Sequence, residues 1–218
     1  MASVTTRYQD PTSRKRRLLI PLAFATLFAL AFSISSLYEW FVLAEYPPET
    51  TPGELRSDTV ETLGFLSLVI ILPRIIFLLA TAVFFLIWIY RIHENAYALQ
   101  LEGSIYTPGW AVSFYLIPFV NFFLPLVSTL QLTKAQANAL NRKSNKGTIV
   151  IWWLLFLFSM LIAASRGFFT EEGATVQMLR NDALMTSISE FTLFLAGCLA
   201  WIIIVRISNQ QIAIQNKE

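Results

Sequence analysis

The sequence is short of the residues that carry enzyme chemistry. It has one histidine, His93, and one cysteine, Cys198, in 218 residues, and only 14% of the chain is charged. A single cysteine excludes an intramolecular disulfide and a cysteine-built zinc site. Lying inside an apolar run, Cys198 reads as a small packing residue. No nucleophile–base set, metal cluster, phosphate loop or dinucleotide fingerprint occurs. The expectation is a protein that is not an enzyme, with no catalytic residue, no metal and no cofactor. His93 would serve as a haem or pigment ligand only with companions the sequence does not offer. Soluble domains carry roughly a quarter charged residues, so the shortage of charge points to a lipid bilayer as the first partner. A net charge of +2 gives no footing for a nucleic-acid partner.

What the chain does have is long apolar blocks, with 56% of its residues hydrophobic. A helix needs about 20 such residues to cross the hydrocarbon core. Four stretches qualify as spans, at about 18–43, 73–90, 148–164 and 188–205. Residues 1–17, with Arg7, Arg14, Lys15, Arg16 and Arg17, read as a disordered basic tail, and 207–218 as a polar one. The 18–206 portion between them is a single membrane domain. The second block, Leu63 to Tyr90, would be roughly 42 Å long as one helix. The expectation there is an interfacial segment to Leu72, a kink at Pro73, and a span starting at Arg74, which snorkels at the boundary. A buried arginine facing a polar cavity is the other reading of Arg74.

The stretch 107–130 is apolar but punctuated by Pro108, Pro118, Asn121 and Pro125. Each of the later two prolines removes a backbone donor and clashes with the preceding turn. Broken backbone at membrane depth survives only when buried in protein or facing water, and Asn121 is placed to satisfy the freed carbonyls. Charge gives a second argument. If 107–130 crossed the membrane, Lys134, Arg142, Lys143 and Lys146 would lie opposite the basic N-terminus, against the positive-inside bias. If it returns to the side it entered from, the N-terminal tail, Arg91, that basic stretch and Arg206 share the cytoplasm, and the acidic loops 45–61 and 165–186 lie outside. The fold expected is an all-α membrane protein of four transmembrane helices. A Pro/Asn-broken re-entrant or interfacial elbow separates the second and third spans, and both termini are cytoplasmic.

Phe84, Trp88, Arg91 and Asn95 fall on one helical face leading to that elbow. The run Trp88-Ile89-Tyr90-Arg91, then Asn95, Thr107-Pro108-Gly109-Trp110-Ala111-Val112, Ile117-Pro118, Asn121, Pro125 and the later pair Trp152-Trp153 resemble a bacterial membrane family catalogued as domain of unknown function 4328. The resemblance covers about Ile71 to Gln211. It implies a multi-pass protein of a bacterial cytoplasmic membrane and supplies no activity. The chain departs from that pattern in being more apolar at Phe123, Leu124 and Leu126.

The candidate structural and functional elbow comprises Trp88, Arg91, Asn95, Pro108, Gly109, Trp110, Pro118, Asn121 and Pro125. The candidate lipid or partner face comprises Arg91, Lys134, Arg142, Lys143 and Lys146. Three functional readings follow. The first is binding of an anionic lipid or a membrane-protein partner, another copy of the chain included. The second is an oligomeric small-solute transporter or channel using the Pro118–Asn121–Pro125 break. The third is a haem- or pigment-binding subunit using His93.

Overall fold

The computed structural model describes residues 7–103, 106–166 and 174–217. Among them there are six α-helices and no strand: α1 (Thr12–Leu43), α2 (Ser57–Ala98), α3 (Pro108–Leu116), α4 (Leu124–Ala139), α5 (Lys146–Arg166) and α6 (Val176–Gln215). Helices α1, α2, α5 and α6 are long and apolar enough to cross a membrane. Short 3-10 turns at Pro52–Glu54 and Val120–Phe122 complete the described chain.

The long helices outrun the expected spans, for local reasons. Helix α1 starts at Thr12, so the disordered-tail reading fails for 12–17, while residues 1–6 lie outside the described ones. The Asp10 carboxylate accepts the Thr12 N–H at 2.8 Å, supplying an acceptor the first turn lacks. That hydrogen bond, from Thr12 side chain and backbone together, holds the Asp10 carboxyl below its ordinary range. Helix α2 is one helix of 42 residues with Pro73 inside it, not an interfacial piece followed by a span. Helix α6, at 40 residues, begins well before Ile188 and absorbs most of the polar C-terminal tail. Helix α4 runs on to Ala139 through a stretch expected to be a polar loop, because Thr133, Gln136 and Ala137 are buried. The expected loop 165–186 is helical from Val176, and residues 167–173 lie outside the described ones. Cys198 is exposed on α6 rather than packed.

Each long helix gives one stretch to each of two compact units. Unit 1 holds residues 1–22, 79–153 and 198–218, and so contains α3, α4 and the turns around them. Unit 2 holds 23–78 and 154–197.

Unit 2 is built on small residues. Ala25, Ala29, Ser33 and Ser36 on α1 and Ser187, Ser189 and Ala196 on α6 are all buried, as expected where helices approach closely in lipid. A Cβ at Gly197 would come 2.3 Å from the Thr26 hydroxyl oxygen, so only glycine fits there. Ser33 donates to the Ser187 carbonyl at 2.9 Å, and Ser189 to the Ser159 carbonyl at 3.0 Å. Phe24 and Phe28 stack on Phe77. The start of α6 finds its missing acceptors in the 45–56 loop: Val176 N–H donates to the Thr50 carbonyl and Gln177 N–H to that of Pro48.

Candidate functional site

In unit 1 the sequence signals converge on three arrangements. The first is a buried polar lattice on the last turns of α2. Trp88 donates its indole N–H to Ser208 Oγ at 3.0 Å. One helical turn further along α6, Gln211 donates to the Ile92 carbonyl at 2.6 Å and accepts from Asn95 Nδ2 at 3.1 Å. The same Asn95 amide pairs with the backbone of Gln9: Nδ2 donates to its carbonyl at 2.8 Å, and Oδ1 accepts its N–H at 3.1 Å. Asn95 therefore clasps the chain ahead of α1 to α2 and α6. His93 lies on the other side of α2. Because a carbonyl only accepts, Nδ1 carries a proton toward Ile89 O at 2.9 Å, and Nε2 faces Ser128 Oγ at 2.9 Å. Both ring nitrogens are thus engaged within the chain. His93 is buried.

The second arrangement is the elbow. Thr107 is the N-cap of α3 and Pro108 its first residue, where a missing N–H costs least. Ile117 leaves the helix in extended conformation, as a residue before proline must. The break then tightens into a γ-turn: Val120 N–H donates to the Pro118 carbonyl at 2.8 Å, with Phe119 at φ 64. A bulky residue with positive φ is a backbone outlier. Pro125 sits in the first turn of α4. The two prolines thus bound one interruption instead of breaking a helix twice. The Phe122 carbonyl at the break takes the indole N–H of Trp153 at 2.9 Å. Asn121 Oδ1, an acceptor, is buried without a hydrogen-bond partner among the described residues. Tyr115 packs edge-on against Phe85 and Trp153. Trp110 and Gly109 remain exposed.

The third arrangement is basic. Helix α4 ends in a Schellman motif, with Asn141 at φ 52, Asn141 N–H bonded to the Asn138 carbonyl and Arg142 N–H to that of Ala137. That stop delivers Arg142 and Lys143 beside Arg206, Asn209, Gln210 and Ala213 of α6, around a groove of about 290 Å³. Lys15 reaches Asn209 Oδ1 at 2.8 Å. No carboxylate lines this groove among the described residues. The expected basic face is only partly assembled: Lys134 and Lys146 do not line the groove, and Arg91 is buried elsewhere in unit 1. Arg206 joins it, although its place at the end of a span marked it only for topology.

Unit 2 supplies one more pair, of which sequence reasoning weighed Arg74 and passed over Glu190. Arg74 does not snorkel: its Nε donates to Glu190 Oε2 at 2.9 Å and its Nη2 to Oε1, while its guanidinium faces the Phe32 ring. Glu190 was legible as the lone acid in its apolar run, just as Arg74 is the lone cation in its own.

The model for "Domain of unknown function (DUF4328)" matches residues 52–209. The chain belongs to the DUF4328 family. The match spans the Trp88–Asn95 clasp, the elbow and the Arg142–Arg206 groove, and stops short of Gln211 and Gln9, the clasp's partners in this DUF4328 protein. Neither a curated protein nor a solved structure matches the chain.

Proposed function

We propose that this DUF4328 protein is a non-enzymatic membrane protein that holds the headgroup of an anionic lipid in its basic groove. The observation that carries the reading is the convergence of Arg142, Lys143 and Arg206 on one groove that no carboxylate lines among the described residues. Two guanidinium forks and an ammonium suit phosphate oxygens. The groove lies where a juxtamembrane cation meets the anionic leaflet. The N-terminal end of α1, the C-terminal end of α2, the α4–α5 turn and the end of α6 all belong to unit 1. Under the positive-inside bias they face the cytoplasm of a bacterial cell together. The 107–130 segment accordingly re-enters: α3 is about 14 Å long and α4 about 24 Å, each short of the ~30 Å core.

Native mass spectrometry of the protein released from nanodiscs containing phosphatidylglycerol tests the reading. The wild type is expected to retain lipid in the groove. Arg142→Gln/Lys143→Gln/Arg206→Gln should lose it, and undiminished retention would overturn the assignment. The buried, unpartnered Asn121 Oδ1 at the break favours a second reading, a solute pathway. Solute flux in proteoliposomes that disappears with Asn121→Leu would support it.

A further inference from the structure

We infer that Arg91, with Arg14 at its side, forms a second and separate oxyanion site in unit 1, which takes a phosphate group. Arg91 is only 8% exposed, yet its Nε and Nη1 have no hydrogen-bond partner among the described residues. Glu94 Oε2 forms an ion pair with Nη1 at 2.6 Å, but the two are not aligned as a hydrogen bond, and Oε2 has no other hydrogen-bond partner among the described residues. The contrast with Arg74 is instructive. There the Nε–Nη2 edge of the guanidinium is filled by both oxygens of Glu190. At Arg91 the Nε of the same edge is empty. Side-on pairing through that edge is how arginine grips a phosphate or carboxylate. Leaving a buried guanidinium short of acceptors is costly, so an incoming oxyanion finds a prepared charge and unspent donors.

The surrounding charge selects an anion. Arg14 stands within electrostatic range of Arg91, Glu94 and Arg17. Of these neighbours only Glu94 carries a negative charge. Arg14 is itself only loosely held, its Nη1 lying 3.5 Å from Gln9 Oε1, and is free to turn toward a ligand. Arg91 sits one turn from Asn95 on α2, and the Asn95–Gln9 clasp anchors the segment that carries Arg14. The site is therefore assembled by the fold and is not a chance meeting of surface cations. Its ligand chemistry is the phosphate oxyanion, supplied either by a lipid headgroup or as free phosphate.

The test uses the full chain in two arms. In the first, native mass spectrometry counts phosphatidylglycerol molecules retained per chain. The wild type should keep two, Arg142→Gln/Lys143→Gln/Arg206→Gln one, and Arg14→Gln one. Arg91→Lys keeps the charge without the fork and should weaken retention at this site at least tenfold. In the second arm, inorganic phosphate is titrated calorimetrically into protein in neutral phosphatidylcholine nanodiscs. Heat that disappears in Arg14→Gln and Arg91→Lys assigns the site to free phosphate, and no heat with lipid retained assigns it to a headgroup. Arg14 lies on an accessible turn and is replaceable without loss of the core, which guards against a folding artefact. Unchanged lipid retention and unchanged phosphate binding in both variants would overturn the proposal and leave the groove reading standing. Loss of lipid only in the groove variant would do the same.

Discussion

Replacing Asn95 by alanine removes the clasp that ties three parts of unit 1 together. The side chain is 0% exposed and makes three hydrogen bonds, one each to the Gln9 N–H, the Gln9 carbonyl and Gln211 Oε1. A buried polar group left without its partner costs roughly 1–3 kcal/mol. The two Gln9 groups are only part-buried and regain water, so each contributes near the low end. Gln211 is fully buried and has no such escape, although its Nε2 keeps the Ile92 carbonyl. The sum is about 3 kcal/mol for Asn95→Ala, large for a single substitution. Unfolding in micelles by a rising fraction of sodium dodecyl sulfate, followed by tryptophan fluorescence, measures it, with Trp88 reporting from the same lattice. Gln211→Ala should cost a comparable amount, and the double variant less than the sum, with a coupling of about 1 kcal/mol. A loss below about 0.5 kcal/mol for Asn95→Ala, or strict additivity with Gln211→Ala, would refute the clasp.

Three further outcomes follow from the packing. Gly197→Ala drives a methyl to 2.3 Å from Thr26 Oγ1 and should cost about 1–3 kcal/mol; adding Thr26→Ala should recover much of it in the same assay. Glu190→Leu strands a buried guanidinium and should cost about 3–5 kcal/mol, whereas Arg74→Leu/Glu190→Leu should lie closer to the wild type; equal losses would deny the pair its role. Gln100 ends α2 at φ 48, so Gln100→Gly should stabilise by roughly 0.5–1 kcal/mol, seen as a higher unfolding midpoint.

The apolar runs made the four long helices legible, because lipid demands unbroken apolar length and the chain has little else. Pro118 and Pro125 made the interruption legible, since each forbids the helix that would otherwise pass through it. Helix ends were less so. Asn95, Ser208 and Gln211 look like residues leaving the membrane, yet Asn95 pairs with Gln211, Ser208 with Trp88, and all three are buried, so α2 and α6 continue past the apolar edges. Pairings across the chain were hidden for a related reason. Arg74 and Glu190 are 116 residues apart, and each alone reads as a boundary anchor; only the coincidence of one cation and one acid in two separate apolar runs hints at the pair. The Phe122 carbonyl freed at the elbow takes its donor from Trp153, on another helix and 31 residues away, a pairing that no local pattern announces. Arg206 lies 64 and 63 residues beyond Arg142 and Lys143, and only the Schellman stop of α4 reveals why they share a groove.

The return of the broken segment to the side it left is tested most directly by a single cysteine at Ala139, an exposed position at the end of α4, placed in a Cys198→Ser background. In intact cells this cysteine should resist a membrane-impermeant maleimide and label fully once the membrane is opened, while a cysteine at Glu49 labels from outside in both conditions. Strong labelling at Ala139 in intact cells would contradict the account, because α3 and α4 would then have carried the chain across.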